Sequence, residues 1–192
     1  MSANNHNGAG ADTSIVRVAF NLIAACFISG LVIGAVYYVT APVAAQKAEM
    51  IKQESMRELI ADADDFAEVA GHDGWTAAIK NGKPIAYIVP GETKGYGGKI
   101  KLLVAVDVNG KVLDFSLLEH NETPGLGDNA QKPEFRRQFA GKDAAALIVV
   151  KDPANKNNIQ AMTGATITSR AVTKGVKEAA EKVAEFVAQG GK

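Results

Sequence analysis

The sequence predicts an α+β fold: one domain with a mostly antiparallel sheet flanked by helices, preceded by an N-terminal transmembrane helix. Three observations lead to this prediction. Two Asn-Gly dipeptides each lie between alternating apolar runs, a pattern typical of β-hairpins. Apolar residues recur at helical spacing from Arg170 to Val187, which indicates a final helix. A run without charge over residues 18–39 is long enough to cross a bilayer.

The uncharged run reads VAFNLIAACFISGLVIGAVYYV and contains 22 residues. At about 1.5 Å per residue, this length spans the ~30 Å hydrocarbon core of a membrane. We therefore predict a single transmembrane helix over residues 18–39, preceded by a polar tail over residues 1–17. A cleaved signal peptide is the alternative, because Val43-Ala44-Ala45 resembles a cleavage site. Its apolar region would usually be shorter, about 7–15 residues.

A second helix is predicted next to the membrane, over residues 42–61. Pro42 favours a break after the transmembrane segment. Beyond it, small or apolar residues recur at helical spacing, and these are Ala44, Ala48, Ile51, Ser55 and Leu59. Three aspartates then mark the end of this helix, so we expect the folded domain to occupy residues 62–192.

The elements of this domain follow from turn signals. The strands expected around Asn81-Gly82 and Asn109-Gly110 cover residues 75–80, 83–89, 99–108 and 111–119. Pro133 is expected to open a short helix over residues 134–140. Residues 146–151 are expected to form a further strand.

Composition and motifs exclude several classes of function. The 21 basic residues balance the 21 acidic ones, so no global field favours nucleic acid, and we expect no nucleic-acid partner. Cys26 is the only cysteine, which excludes an intrachain disulfide and a thiolate metal cluster. Walker, HExxH and GxSxG motifs are absent from the sequence. Glu119, His120, Glu122 and Asp128 are suitable metal ligands, but their closeness in sequence does not make them converge, and no metal site is predicted.

Hydroxyl-bearing residues cluster before the predicted final helix, in MTGATITSRAV. We expect Thr168 or Ser169 to cap this helix, so the preceding residues would lie near free backbone N–H groups and the positive end of the helix dipole. A phosphate on Thr166 would be favoured there, since Gly164 permits close approach and Ala165 leaves space. An ordinary threonine-rich turn that caps a helix has the same spacing. Spacing alone therefore leaves both interpretations open.

The segment TGATITSRAV resembles the S/T-G-A-T flavinylation motif of FMN-binding domains, in which the threonine after the alanine carries FMN through a phosphoester bond. This resemblance implies covalent FMN on Thr166. Residues 95–128, followed by PEFRRQFAGK, are similar to the G subunit of the Rnf electron-transport complex, an ion-translocating ferredoxin:NAD oxidoreductase. The segment also resembles the related C subunit of the sodium-pumping NADH:quinone reductase. The likeness covers roughly residues 18–188.

The resemblance implies a cofactor site built from two segments, the threonine cluster and the loop ETPGLGD. In the loop, Thr123 and the amides of Gly125 and Gly127 are expected to hydrogen-bond the cofactor, while Leu126 covers the flavin ring. A tight loop between a strand and a helix would need the same Pro and Gly residues. The full set of expected FMN contacts is Thr163, Gly164, Ala165, Thr166, Thr168, Ser169, Glu122, Thr123, Gly125, Leu126, Gly127 and Tyr96.

The family also implies a role and partners. The expected role is electron relay between other membrane subunits of an Rnf-type complex, with no catalytic acid, base or nucleophile. An FMN transferase that uses FAD and Mg²⁺ is expected to modify Thr166. One position departs from the family pattern, since family members commonly carry an acidic residue three positions before the first threonine, where this chain has Gln160. Two alternatives remain: a membrane-anchored sensor or binding module that holds FMN or another anionic ligand non-covalently, and a purely structural subunit.

The side of the membrane that the domain occupies follows from the family and not from charge. Arg17 precedes the apolar run, whereas Lys47, Lys52 and Arg57 follow it, so a literal count of positive charges places the domain in the cytoplasm. Long C-terminal domains translocate largely regardless of charge. The resemblance implies a single-pass protein of the inner membrane with its flavin domain on the periplasmic, outer face.

Overall fold

The structure, a computed structural model, describes residues 9–152 and 154–191. It contains two compact units, Met1–Glu49 and Met50–Lys192. The predicted α+β class is confirmed, because a long apolar helix at the N-terminal end is followed by a mostly antiparallel sheet with helices.

Helix α1 extends over Ala9–Leu59 and includes the predicted transmembrane segment. Within the described residues, α1 is the helix that is long and apolar enough to cross a membrane. None of its most apolar stretch is buried inside the chain. A membrane anchor has these properties, because lipid and not protein surrounds its side chains.

The break predicted at Pro42 does not occur, because α1 continues through this residue. A proline inside a helix removes one main-chain hydrogen bond. The residues on both sides of Pro42 remain helical, so the helix continues through it. Residues 42–59 therefore belong to the same helix. The helix also begins at Ala9, inside the expected polar tail, while residues 1–8 of that tail lie outside the described residues.

Five antiparallel strands form the main sheet, and each pairs with the next one along the chain. They are β1 (Asp65–Glu68), β2 (Thr76–Lys80), β3 (Lys83–Lys94), β4 (Lys99–Asp107) and β5 (Val112–Glu119). The sequence predicted the last four strands. It did not predict β1, whose four residues are too few to show an alternating pattern.

Both predicted Asn-Gly hairpins are present, but their turns differ. Asn81 and Gly82 have φ angles of 51° and 73°, and a two-residue type I′ turn requires a positive φ at both positions. The second hairpin has a longer loop. There the carboxylate of Asp107 accepts hydrogen bonds from the amides of Asn109 and Lys111, each at 2.8 Å. A side chain therefore closes the second turn.

Different elements cover the two faces of the sheet. On one face, helix α3 (Thr166–Ala188) contributes Val172 to a core that also contains Leu102. On the other face, Leu59 at the end of α1 shares a second core with Leu103. Because both faces of β4 are buried, its central residues are apolar without alternation.

The connection between β5 and α3 contains short elements. These are a 3₁₀ turn at Gly127–Gln131, helix α2 (Pro133–Arg136), a 3₁₀ turn at Ala144–Ala146, and the parallel pair β6 (Val149–Val150) and β7 (Ile159–Gln160). The helix expected over residues 134–140 is shorter and ends at Arg136. The amide of Phe139 bonds the carbonyl of Arg136, three residues back, and this is the bond of a turn and not of an α-helix. Phe135 still contacts Phe139, with ring centroids 5.3 Å apart.

Replacing Phe139 with alanine should lower the free energy of unfolding by about 3–5 kcal/mol, because its ring is fully buried beside Phe115. Urea unfolding of the full chain in detergent, followed by the fluorescence of Trp75, measures this change. The control is Ile148→Ala at a side chain that is 53% exposed, which should cost less than about 0.5 kcal/mol. Equal effects of the two substitutions would contradict the described core.

Candidate functional site

A cavity of about 690 Å³ lies where the start of α3 faces the loop after β5 and the turn between β3 and β4. This volume is within the range of about 300–1,000 Å³ that is typical of small-molecule sites. The cavity is lined by Tyr96, Glu122, Thr123, Leu126, Gly127, Lys151, Gly164, Ala165, Thr166, Ile167 and Thr168. It therefore joins the threonine cluster and the ETPGLG loop, the two segments that the sequence motifs indicated.

Helix α3 begins at this cavity without a side-chain cap. Its N-cap residue is Ala165, whose side chain cannot accept a hydrogen bond. Within the described part of the chain, the amides of Thr166, Ile167 and Thr168 have no acceptor, and the first amide that bonds is Ser169, at 2.9 Å from the Ala165 carbonyl. Open amides and the positive end of the helix dipole attract an anion. A bound anion can thus take the place of the missing cap.

The prediction that Thr168 or Ser169 caps this helix is wrong, because both lie inside its first turn. The hydroxyl of Ser169 donates to the Ala165 carbonyl at 2.9 Å and accepts from the Met162 amide at 3.0 Å. The hydroxyl of Thr168 donates to the carboxylate of Glu122. Ser169 is fully buried and does not line the cavity, whereas Thr168 does.

Thr166 is the cluster residue that presents an unbonded hydroxyl to this cavity. It lines the cavity, and no group among the described residues hydrogen-bonds its side chain. Thr163 is exposed and lines a different cavity, which it shares with Gln160. Between the two threonines, Gly164 has a φ of 75° and turns the chain. Thr166, and not Thr163, therefore lines the cavity that the ETPGLG loop shares.

Glu122 connects the walls of the cavity. Its side chain is only 5% exposed. The carboxylate accepts hydrogen bonds from the amides of Gly97, at 2.9 Å, and Tyr96, at 3.3 Å, and from the hydroxyl of Thr168. One carboxylate thus joins the β3–β4 turn, the loop after β5 and helix α3. Glu122 lines the cavity, and its carboxylate oxygens accept hydrogen bonds from the chain itself and not from a ligand.

The ETPGLG loop folds back on its own backbone. The carbonyl of Thr123 accepts hydrogen bonds from the amides of Leu126, at 3.1 Å, and Gly127, at 3.0 Å. The amide of Gly127 is therefore not available to a ligand, contrary to the sequence prediction. Gly125 does not line the cavity. Thr123, Leu126 and Gly127 do line it.

Two glycines allow the loops to approach closely. A Cβ atom on Gly127 would lie 2.7 Å from the Cβ of Glu122 and 2.9 Å from the hydroxyl of Thr168. A Cβ atom on Gly97 would lie 1.8 Å from the carbonyl oxygen of Asn121. Larger residues would force these segments apart, so both glycines maintain the wall that Glu122 holds.

Exposed apolar side chains surround the cavity. Tyr96 is 71% exposed, Leu126 is 42% exposed and Ile167 is 55% exposed. Apolar side chains of this kind provide contact area for a planar aromatic ligand. Ile167 was not predicted from the sequence, although a large apolar residue between two threonines was a visible signal. Lys151 was not predicted either, because it lies outside both motifs.

The candidate metal ligands do not converge. Among the described residues, no group of three or more histidine, cysteine, aspartate or glutamate side chains could hold a metal ion. Glu119 instead forms an ion pair with Lys101 at 2.6 Å. The hydrogen bond and the charge of Glu119 raise the pKa of Lys101 above its ordinary value.

Comparison with known proteins identifies the family. Residues 95–181 match the FMN-binding domain family. The chain is 62% identical over 179 residues to the G subunit of the proton-translocating ferredoxin:NAD⁺ oxidoreductase complex of Clostridium ljungdahlii, which covers 93% of this chain and 96% of that protein. The chain belongs to the family of G subunits of these Rnf-type complexes. It is also 43% identical over 100 residues to the G subunit of the Na⁺-translocating complex of Acetobacterium woodii, covering 50% of this chain and 48% of that protein.

The fold has a solved counterpart. The crystal structure of Shewanella oneidensis NqrC matches with a TM-score of 0.50 and 23% identity, covering 60% of this chain and 61% of that one. The family and the fold predicted by the resemblance are thus confirmed. The membership also makes the chain a subunit of the electron-transfer type, with an FMN-binding domain and an apolar helix that fits a membrane anchor.

The residues present fit FMN. Every residue that lines the cavity lies within the matched range, residues 95–181. The open amides at the start of α3 suit a phosphate, and the apolar residues around the cavity suit a flavin ring. The volume is adequate for a cofactor of this size.

Replacing Glu122 with glutamine should destabilise the domain by about 2 kcal/mol. The buried carboxylate accepts three hydrogen bonds, whereas the NH₂ group of a glutamine would point N–H donors at the donors of the chain. Chemical unfolding of the full chain measures this loss. The matched control is Glu119→Gln, which removes an exposed ion pair and should leave the stability nearly unchanged. A Glu122→Gln chain as stable as the control would contradict the assigned role.

Proposed function

We propose that the chain relays electrons through FMN esterified to Thr166, as the flavin-bearing subunit of a membrane ion-translocating ferredoxin:NAD⁺ oxidoreductase complex. One observation carries the proposal. Thr166 presents a free hydroxyl at the uncapped start of a helix, inside a cavity that lies within the FMN-binding match. When bound, FMN supplies one- and two-electron transfer. The chain supplies attachment, position and shelter.

Each wall of the cavity has a proposed role toward the cofactor. The amides of Thr166, Ile167 and Thr168 hold the phosphate, because they have no other acceptor among the described residues. The side chains of Tyr96 and Leu126, together with Ile167, contact the ring. Six of the remaining predicted residues shape or support these walls, and they are Gly164, Ala165, Ser169, Glu122, Thr123 and Gly127. Thr163 and Gly125 do not line the cavity.

A covalent bond suits a cavity with these walls. The side chains that would contact the ring are largely exposed, so the cavity encloses a ligand only partly. A short tether raises the effective concentration of a ligand to about the millimolar range, which keeps even a weak site filled. The cofactor is then retained at the membrane surface without a deep pocket. This role requires no catalytic acid, base or nucleophile from the chain.

Two classes of partner follow. The first is the set of other membrane subunits of the complex, which exchange electrons with this one. The second is an FMN transferase that uses FAD and Mg²⁺ to modify Thr166. Gln160, at the position where the family commonly has an acid, keeps its backbone in place through Gln138, whose side chain accepts from the Gln160 amide at 2.7 Å. We infer that modification proceeds with glutamine at this position.

Substitution of Thr166 by alanine tests the covalent bond. The full chain is expressed together with the transferase and run on a denaturing gel under ultraviolet light. We expect a fluorescent band for the unaltered chain and no fluorescence for Thr166→Ala, because the only esterified hydroxyl is gone. Thr163→Ala is the matched control and should keep the fluorescence, since Thr163 lines another cavity.

Other outcomes of this experiment contradict the proposal in different ways. A yellow protein with a dark band would favour non-covalent FMN and a sensor or binding role. A colourless protein in the presence of a competent transferase would favour a structural subunit. Fluorescence that is lost in Thr163→Ala and kept in Thr166→Ala would show that FMN is attached to Thr163.

We further propose that the flavin domain lies on the outer, periplasmic face of the inner membrane. In a Cys26→Ala background, a new cysteine at Asp62→Cys should react with a membrane-impermeant maleimide in intact cells, because Asp62 is exposed in the domain. A cysteine at Ser2→Cys, before the apolar helix, should react only after lysis. The reverse labelling pattern would place the domain in the cytoplasm.

A further inference from the structure

Lys151 lies on the cavity wall, although neither sequence motif contains it. It follows strand β6, which pairs in parallel with β7, and the amide of Ala161 donates to the carbonyl of Val150 at 2.8 Å. This pairing places Lys151 beside the segment that leads to Thr166. Lys151 therefore lines the same cavity as Ala165 and Thr166 at the start of the helix.

Lys151 is the charged residue of the cavity wall whose side chain has no partner among the described residues. Glu122 and Lys151 are the charged residues among those that line it. Three donors of the chain already satisfy Glu122. Lys151 is exposed, and it forms no ion pair within the residues that the structure describes. The neighbouring Asp152 uses its carboxylate to accept a hydrogen bond from the Ala154 amide at 3.0 Å.

Lys151 lines the same cavity as the start of α3, where the positive end of the helix dipole lies. A cation near a helix N-terminus faces the positive end of the dipole, which disfavours it. An anion between the ammonium group and the open amides of α3 reverses the sign of this interaction. A phosphodiester carries one negative charge whatever the redox state of a flavin, so it balances Lys151 permanently.

We propose that Lys151 is the counter-cation of the FMN phosphate and holds it against the start of α3. The inference rests on the proposed function, because it assigns a residue to the same site. It separates two tasks on the cavity wall: Glu122 joins segments of the chain, whereas Lys151 binds the ligand. It also predicts that Lys151 contributes to stability only in the FMN-bearing protein.

The test compares the full chain in detergent with and without covalent FMN, prepared with or without the transferase. In the FMN-bearing form, Lys151→Gln should lower the melting temperature by about 2–4 °C. In the unmodified form, the same change should leave it unchanged, because no phosphate is present for Lys151 to bind. Lys151→Arg should behave like the unaltered chain. The control Lys156→Gln, at an exposed lysine outside the cavity, should affect both forms equally.

Free ligands give a second measurement that does not need the covalent bond. In the unmodified chain, Lys151→Gln should weaken FMN binding about fivefold and leave riboflavin, which lacks the phosphate, unaffected. Equal weakening of both ligands, or of neither, would overturn the inference, as would an equal loss of melting temperature in both forms. A chain that carries no covalent FMN would contradict the proposed function alone, since the comparison of FMN with riboflavin still tests Lys151. Binding of neither ligand would overturn both.

Discussion

The buried carboxylate of Glu122 is the contact on which the site depends. Burying a charge is costly unless donors surround it, and here two amides and one hydroxyl, from Gly97, Tyr96 and Thr168, do so. These donors come from parts of the chain that are far apart in sequence. The carboxylate therefore makes the turn of the sheet, the glycine-rich loop and the last helix into one wall. Gly127 allows the close approach that this arrangement needs.

The last helix begins open because its N-cap residue is Ala165. Thr168 and Ser169 lie inside the first turn, where Thr168 bonds Glu122 and Ser169 bonds Met162 and the Ala165 carbonyl. The chain thus leaves a positive, unsatisfied helix end facing a cavity. Packing of α3 through Val172 fixes that end relative to the sheet. A ligand phosphate would accept hydrogen bonds from the open amides of this helix, whose position the core already determines.

Local signals predicted most of the fold. The Asn-Gly turns, the apolar stripe of the last helix and the uncharged run are each visible in a short stretch of sequence, so the elements they predict are present. Both long helices extend beyond their predicted bounds. The two site motifs also indicated the segments that meet at the cavity. Local chemistry failed where a tertiary contact overrode it, as at the helix cap, where serine and threonine usually act but here bond elsewhere. Lys151 could not be foreseen, because only the pairing of β6 with β7 brings it to the cavity.

The start of α3 is the proposed attachment point within an electron-carrying subunit, and peptide mass spectrometry of the natively matured chain tests this most directly. Trypsin should release residues 157–170 as one peptide, which contains Thr163, Thr166 and Thr168. We predict that this peptide is heavier by the mass of FMN less one water, with fragmentation that places the addition on Thr166. An unmodified peptide mass, or an addition on Thr163 or Thr168, would contradict the proposal.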